Sequence, residues 1–137
     1  RPGGRVAVVV FSTPDRNSWG ALPASIIRRR AHLPPPVPGQ PGPFNLGAPG
    51  VLDGVFRQAG FADPEVRAVP VPLSMASSAE YVRVAREAFG AFNAMMAHLS
   101  PQECESVWNE VEGSMRRFES PGGFEVPGEC LVGAATK

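Results

Sequence analysis

The apolar run from Arg5 to Phe11, RVAVVVF, constrains the fold of this chain more than any other feature. Six of its seven residues are apolar and four are valine. A short, uninterrupted run of β-branched residues is typical of a strand that is buried on both faces inside a parallel sheet. We therefore expect it in mid-sheet, beside partner strands that these 137 residues do not contain. An outer, solvent-exposed position would argue against that expectation.

The remainder of the chain alternates between helical and strand patterns, which predicts an α/β fold. Ser77 with Glu80, and Ser100 with Glu103, match the capping box that starts a helix. Pro23 predicts that the first helix is kinked or made of two pieces. The predicted helices span 17–30, 48–59, 77–98 and 100–118, and the predicted later strands span 66–71, at a sheet edge or bulge, and 124–135.

Composition and charge exclude several classes of protein. Thirteen basic residues balance thirteen acidic ones, which argues against a protein that coats nucleic acid. No apolar run reaches the length of about 18 residues that a membrane span needs, so we expect no membrane partner. Two cysteines, Cys104 and Cys130, are too few for a disulfide framework, and we expect reduced thiols in the cytoplasm. Because the sequence starts abruptly at Arg1, without a methionine, we expect a fragment.

The sequence carries few motifs with a chemical role. No Gly-x-Gly-x-x-Gly stands between a strand and a helix, which excludes an encoded dinucleotide or P-loop site. His32 and His98 have no neighbouring ligand residues, so no metal site is predicted. Arg28, Arg29 and Arg30 fit a solvated helix end or an anion-binding patch. The proline-rich segment 34–43 fits a lid over a binding site or a ligand for a proline-recognising domain.

Several ordered motifs resemble class I S-adenosylmethionine-dependent methyltransferases. The segment 1–6, RPGGRV, is similar to the Pro-Gly-Gly entry into the fifth strand of that family, and 58–61, QAGF, resembles the end of the helix before the sixth strand. Residues 43–46, PFNL, also match, and 124–137 resemble the seventh strand. The closest resemblance is to the ubiquinone/menaquinone-biosynthesis-like, methyltransferase type 11 branch.

The resemblance implies one partial domain over 1–137, the C-terminal half of a Rossmann-like methyltransferase sheet. It would hold strands five, six and seven, with the last strand antiparallel and a helical insertion, 77–118, covering the acceptor side. In the family the methyl donor sits on the first four strands, beside a Gly-rich loop and an acidic residue. No position here matches those motifs. S-adenosylmethionine is therefore expected in the intact parent and not on this chain alone.

The resemblance also implies where the methyl acceptor would bind. Ser12 and Thr13 would face the acceptor pocket, because open α/β sheets bind ligands at the carboxyl ends of their strands. An apolar pocket lined by Phe11, Trp19, Phe89, Phe92 or Met96 would suit a hydrophobic acceptor. In-line methyl transfer needs aligned reactants rather than a strong acid or base, so no catalytic residue is predicted. The expected substrate-binding residues are Phe11, Ser12, Thr13, Arg16, Trp19 and Phe44.

The leading hypothesis is a C-terminal methyltransferase fragment whose parent acts on a small, apolar molecule and which is itself inactive. A non-catalytic binding or dimerisation module is the alternative, and a proline-rich adaptor is a third. Without its neighbours the strand at 5–11 would present an open edge. Such edges pair with other chains, so we expect a homo-oligomer formed through that edge.

Overall fold

The computed structural model describes residues 3–37 and 41–137. Arg1, Pro2 and residues 38–40 of the proline-rich segment lie outside the described residues. The described α-helices are α1 (Ser18–Arg30), α2 (Val51–Gln58), α3 (Ser78–Ala88), α4 (Gly90–Met95) and α5 (Pro101–Met115). The described strands are β1 (Arg5–Phe11), β2 (Ala62–Pro70), β3 (Leu73–Met75), β4 (Glu119–Ser120), β5 (Gly123–Val126) and β6 (Glu129–Thr136).

The fold is mixed α/β and divides into two compact units. The sheet unit comprises residues 3–17, 41–71 and 127–137, and the helical unit comprises 18–37 and 72–126. Each unit has its own antiparallel sheet among the described residues, with strand orders β1-β6-β2 and β3-β5-β4. The prediction of an α/β fold is confirmed at this level. The insertion predicted over 77–118 stays a prediction.

In the sheet unit, β6 lies between two outer strands. Both β1 and β2 are antiparallel to β6 and therefore run parallel to each other. Helix α2 packs Leu52 and Phe56 onto one face of this sheet, beside Ala135. A Cβ atom added at Gly133 would lie 2.8 Å from the Phe56 ring and 2.9 Å from Leu52, so glycine lets the helix approach the sheet closely.

The predicted burial of Arg5–Phe11 on both faces is wrong, whereas its place in mid-sheet beside strands outside these 137 residues stays a prediction. The segment is a strand, but it is an outer one, with β6 as its antiparallel neighbour in the described part of the chain. Its residues alternate between exposed and half-buried, and Val9 is 66% exposed. An uninterrupted apolar run predicts a strand, but it does not predict whether both faces of that strand are covered. Here the face of the sheet opposite α2 is exposed to solvent.

The helical unit is built around an aromatic core. The buried members described are Ile26, Ile27, Tyr81, Val82, Ala85, Phe92, Met96, Val107, Trp108, Val111, Met115, Phe124 and Val126. Tyr81 donates a hydrogen bond from its hydroxyl to the carbonyl oxygen of Trp19. In α1 this carbonyl lies four residues before Pro23, which has no N–H to bond it. The Tyr81 hydroxyl replaces that donor, and α1 runs through Pro23 as one helix rather than two.

Two of the predicted elements divide in the structure. The helix predicted over 77–98 breaks at Phe89, which precedes Gly90, and gives α3 and α4. The strand predicted over 124–135 divides at Pro127–Gly128 into β5 and β6, which belong to different sheets. The small sheet of the helical unit was not predicted, because β3 and β4 are too short to leave a pattern.

Several local predictions are confirmed. Ser100 and Glu103 form a full capping box at the start of α5, and the Ser77 side chain accepts from the backbone N–H of Glu80 at the start of α3. Strand β2 is an outer strand with a register shift between Ala62 and Glu65. No helix among residues 3–37 and 41–137 is both long enough and apolar enough to span a membrane.

Candidate functional site

A cleft of about 600 Å³ opens in the sheet unit at the carboxyl end of β1. The described lining residues come from the chain after β1, the start of α2, and the neighbouring parts of β2 and β6. They are Ser12, Thr13, Asp15, Arg16, Gly47, Ala48, Pro49, Gly50, Leu52, Asp53, Val66, Ala68, Glu129 and Leu131. Ser12, Thr13 and Arg16, three of the predicted substrate-binding residues, therefore share one cleft.

Close backbone contact shapes one wall of the cleft. A Cβ atom added at Gly47 would lie 2.3 Å from the carbonyl carbon and oxygen of Ser12, so no larger residue fits there. Gly50 follows with φ at 78° and directly precedes α2. The glycines bring the chain from the turn at 43–46 across the end of β1 and start α2 beside it.

Asn17 holds together two segments that line the cleft, at Ser12–Thr13 and at Glu129. Its side chain is fully buried, and its amide nitrogen lies 3.2 Å from the Ser12 hydroxyl and 3.0 Å from the Thr13 carbonyl oxygen. Its amide oxygen accepts the backbone N–H of Glu129 at 3.0 Å. Ser12 also donates its own N–H to the Glu129 carbonyl. These bonds hold the end of β1 and the start of β6 together, since a buried polar group is costly without partners.

Charged groups surround the mouth of the cleft. Asp15 lies 3.8 Å from Arg16, and Asp53 pairs with Arg57 at 2.8 Å within α2. The hydrogen bond from the Thr13 side chain holds the pKa of Asp15 below its ordinary value, with smaller contributions from its own backbone N–H and from Arg16. Glu129 adds a third carboxylate at the start of β6. The rim therefore carries more negative than positive groups.

A smaller cleft of about 320 Å³ lies beside the end of β1 and is more apolar. Its described lining residues are Val9, Val10, Phe11, Gly42, Pro43, Leu46 and Cys130. Phe11, a predicted substrate-binding residue, lines this cleft, and its ring centroid lies 6.2 Å from that of Phe44. Phe11 thus contacts Phe44 and lines a different cleft from Ser12 and Thr13.

The remaining predicted pocket residues belong to the helical unit. Trp19 packs on Phe89 with ring centroids 5.4 Å apart. Phe92 and Met96 are buried in the core of that unit, at 7% and 3% exposure. Since Phe11 belongs to the sheet unit and these side chains to the helical unit, the apolar pocket expected from them together stays a prediction.

The arginines at the end of α1 are occupied within the chain. Arg29 and Arg30 both bond the Glu110 carboxylate of α5, Arg30 at 2.7 Å. Arg28 donates to the carbonyl oxygen of Pro34. The anion that Arg29 and Arg30 bind is thus a carboxylate of the protein itself, that of Glu110.

The large cleft offers hydroxyls, carboxylates, one guanidinium and an apolar wall. Among its described lining residues there is no histidine, cysteine or lysine that could act as a nucleophile or base near neutral pH. Across the two described ranges, histidine, cysteine and acidic side chains form no group of three that could hold a metal ion. The cleft can therefore bind and orient a small molecule.

Sequence reasoning missed Asp53 and Glu129, which line the cleft, and Asn17, which bonds Ser12 and Glu129. Asn17 stands at the start of the helix predicted over 17–30, and its bond to Glu129 spans 112 residues of sequence. No local pattern signals a contact of that length. Comparison with models of known protein families and with curated proteins finds no match to this chain.

Proposed function

We propose that this chain is the C-terminal part of an S-adenosylmethionine-dependent methyltransferase that acts on a small molecule. The observation that carries the proposal is the direction of the strands. β1 and β2 run parallel to each other, and β6, the last strand, is antiparallel to both. The resemblance assigns these as strands five, six and seven, with the last antiparallel. The motif order and the strand directions thus agree.

The connection between the last two strands fits the same assignment. Val71, just after β2, donates its N–H to the carbonyl of Gly128, just before β6. The two strands therefore form the base of a hairpin, and residues 72–126 of the helical unit lie between them in sequence. Because β1 is exposed in the described part of the chain, burial of this strand gives the proposal no support. The proposal depends on strand direction and motif order instead.

The large cleft would be the acceptor side of the parent enzyme. Leu52, Val66 and Leu131 supply an apolar wall for the body of a small molecule, and the Ser12 region and Arg16 supply polar contacts at its rim. S-adenosylmethionine, held by the rest of the parent, would supply the methyl group. The part of this chain would be to hold the acceptor in line and exclude water, which needs no acid or base. The free thiols of Cys104 and Cys130 favour a cytoplasmic location.

A non-catalytic binding or dimerisation module is the second candidate, and the edge of β1 that no strand of the described residues covers favours it. The two candidates differ in what the reading frame upstream of Arg1 encodes. A Gly-rich loop after a first strand and an acidic residue ending a second would support the methyltransferase. A frame that begins near Arg1 would overturn it in favour of the module.

Calorimetry and kinetics test the same proposal directly. Titration of this chain with S-adenosylmethionine should give no heat, whereas the longer gene product should bind it; tight binding by the chain alone would contradict the proposal. In the longer protein, Ala68→Phe should fill the cleft and raise KM for the acceptor. Val69→Phe is the matched control, because Val69 is the next residue of β2 and points to the opposite face. If both variants changed KM for the acceptor equally, the assignment of the cleft as the acceptor site would be wrong.

A further inference from the structure

We propose that the large cleft binds a small molecule in which an ammonium group is joined to an apolar body, and that the Glu129 carboxylate holds the ammonium. This assignment rests on the proposed function, because it takes the cleft as the acceptor site of the parent, and it adds the charge of the acceptor. The contact anchors the molecule by charge and hydrogen bonding and involves no covalent step.

Glu129 faces the cleft from the first position of β6. Side chains alternate between the two faces of a strand, so Glu129 lies on the same face as Leu131 and Gly133. Gly133 is the position against which Leu52 and Phe56 pack, and this is therefore the face that α2 covers. The carboxylate thus stands beside the apolar wall of the cleft and not on the solvent-exposed face of the sheet.

The other charged groups around the mouth of the cleft already have partners within the chain. Arg16 lies 3.8 Å from Asp15, and Asp53 binds Arg57 at 2.8 Å. Glu129 forms no ion pair with any residue in the described part of the chain, and its carboxylate accepts no hydrogen bond there. The negative charge that is left at the mouth of the cleft is therefore that of Glu129.

Asn17 brings a second polar group next to this carboxylate. Its amide oxygen accepts the backbone N–H of Glu129 at 3.0 Å, and its amide nitrogen lies 3.2 Å from the Ser12 hydroxyl. Ser12 is 2% exposed and lines the cleft. Its hydroxyl accepts from Asn17, and no described residue accepts the hydroxyl's own proton. An oxygen or nitrogen lone pair of a bound molecule would accept it, since a hydroxyl is both a donor and an acceptor.

An ammonium suits this arrangement better than an anion or a metal ion does. An anion would be repelled by Glu129, and the guanidinium of Arg16 is paired. A metal ion needs several ligands, and the described histidine, cysteine and acidic side chains form no group of three that could hold one. An ammonium needs one carboxylate, while the apolar body packs on Leu52, Val66 and Leu131. Because Glu129 is half-buried, its charge is screened less than that of an exposed carboxylate.

NMR titration of the full chain with three probes tests the charge of the ligand. Benzylamine, benzyl alcohol and benzoate share a ring of one size, and at neutral pH their head groups are cationic, neutral and anionic. Benzylamine should bind about tenfold more tightly than benzyl alcohol, because its hydrogen bond to Glu129 is charge-assisted, and benzoate should bind most weakly. The amide shifts should fall on Leu52, Val66 and Leu131, which line the cleft.

Two carboxylate variants separate the site from the net charge of the chain. Glu129→Gln keeps the size of the side chain and should bring the affinity for benzylamine down to that for benzyl alcohol. Glu65→Gln is the matched control, since it removes the same charge from the same sheet. Glu65 lies opposite Ala134 on the face away from the cleft and should leave the affinity unchanged. Thermal unfolding confirms that both variants fold.

Four results would each overturn the proposal: no binding of benzylamine, equal affinity for benzylamine and benzyl alcohol, tightest binding of benzoate, or equal weakening by the two variants. These titrations contain no S-adenosylmethionine. A chain that prefers benzylamine, with a longer gene product that does not bind S-adenosylmethionine, would keep the cationic ligand and lose the methyltransferase. The reverse pair of results would keep the methyltransferase and lose the cationic ligand, so the two proposals fail separately.

Discussion

The helical unit and the sheet unit cover their apolar side chains in different ways. The described core of the helical unit contains Tyr81, Trp108 and Phe124, each no more than 3% exposed. The buried cluster described in the sheet unit is Leu52, Phe56 and Ala135. Helix α2 covers one face of its sheet, and on the other face Val9 and Val132 are 66% and 38% exposed. The helical unit thus encloses a core, whereas the sheet unit has one covered face.

This difference in burial indicates which unit contributes more to the stability of the chain. Stabilisation by burial grows with the apolar area removed from water, at roughly 25 cal/mol per Å². Aromatic contacts add to it in the helical unit, such as Phe92 with Trp108 and Tyr81 with Phe124, at centroid distances of 6.2 and 5.5 Å. The sheet unit instead uses glycine where helix and turn approach the strands. We expect its backbone to open at lower free energy than the helical core.

The largest expected effect comes from removing one aromatic ring from each unit. Trp108→Ala should lower the free energy of unfolding by about 3–5 kcal/mol, because the ring is almost fully buried and leaves a cavity. Phe56→Ala should cost about 3 kcal/mol, at the lower end for this type of change, since its cluster is small and can collapse. Denaturant titration measures both values.

Hydrogen exchange then shows whether the two units differ as proposed. Phe56→Ala should speed exchange mainly in β6 and β2, and Trp108→Ala mainly in α3 and α5. Two results would contradict the view that the helical unit holds the larger share of the stability. One is a larger loss of unfolding free energy for Phe56→Ala than for Trp108→Ala, and the other is faster amide exchange over the same residues in both variants.

Two glycines of the sheet unit give a second test with opposite signs. Gly47→Ala should destabilise the chain by about 1–3 kcal/mol, because the new Cβ atom meets the backbone of Ser12. Gly54→Ala should stabilise it by up to about 1 kcal/mol, since Gly54 lies inside α2 with nothing within 4 Å of the new atom. Thermal unfolding compares the pair. Stabilisation by Gly47→Ala would mean that the wall of the cleft is not packed as described.

The comparison also shows why sequence predicted some elements and not others. Local sequence signals were enough to predict α5, where Ser100 and Glu103 form a complete capping box, and α2, which ends before Gly60. Pro23 was a sound reason to expect a broken helix. The hydroxyl that replaces its missing donor comes from Tyr81, which no local rule could anticipate.

The location of the candidate site could be predicted from the sequence, but the full set of residues that form it could not. The end of a strand pointed to Ser12 and Thr13, and both line the large cleft. Asn17 and Glu129 join the site through a bond between distant parts of the chain, and periodicity carries no information on such contacts. The aromatic residues at helical spacing, such as Phe92, proved to be core, because a buried stripe and a ligand-binding stripe have the same pattern.

The smallest expected effect is a difference in acid sensitivity between the units. Glu119 accepts hydrogen bonds at 2.7 Å from both the N–H and the hydroxyl of Ser78, which hold the pKa of its carboxyl below the ordinary value. Since the two residues lie 41 positions apart, these bonds exist only in the folded chain. Their contribution is complete above the ordinary pKa and is lost as pH falls through the lower folded value. Glu119→Gln should therefore make stability depend less on pH from about pH 4.5 downward.

Asp15→Asn is the matched change in the sheet unit. The pKa of Asp15 is also lowered, but chiefly by Thr13, two residues away, and a bond that local can persist in the unfolded chain. A pKa that is lowered equally in both states contributes nothing to the pH dependence of folding. Urea titrations across the acid range should therefore flatten for Glu119→Gln and stay unchanged for Asp15→Asn. Flattening by Asp15→Asn alone would place the acid-sensitive contact in the sheet unit and reverse this part of the comparison.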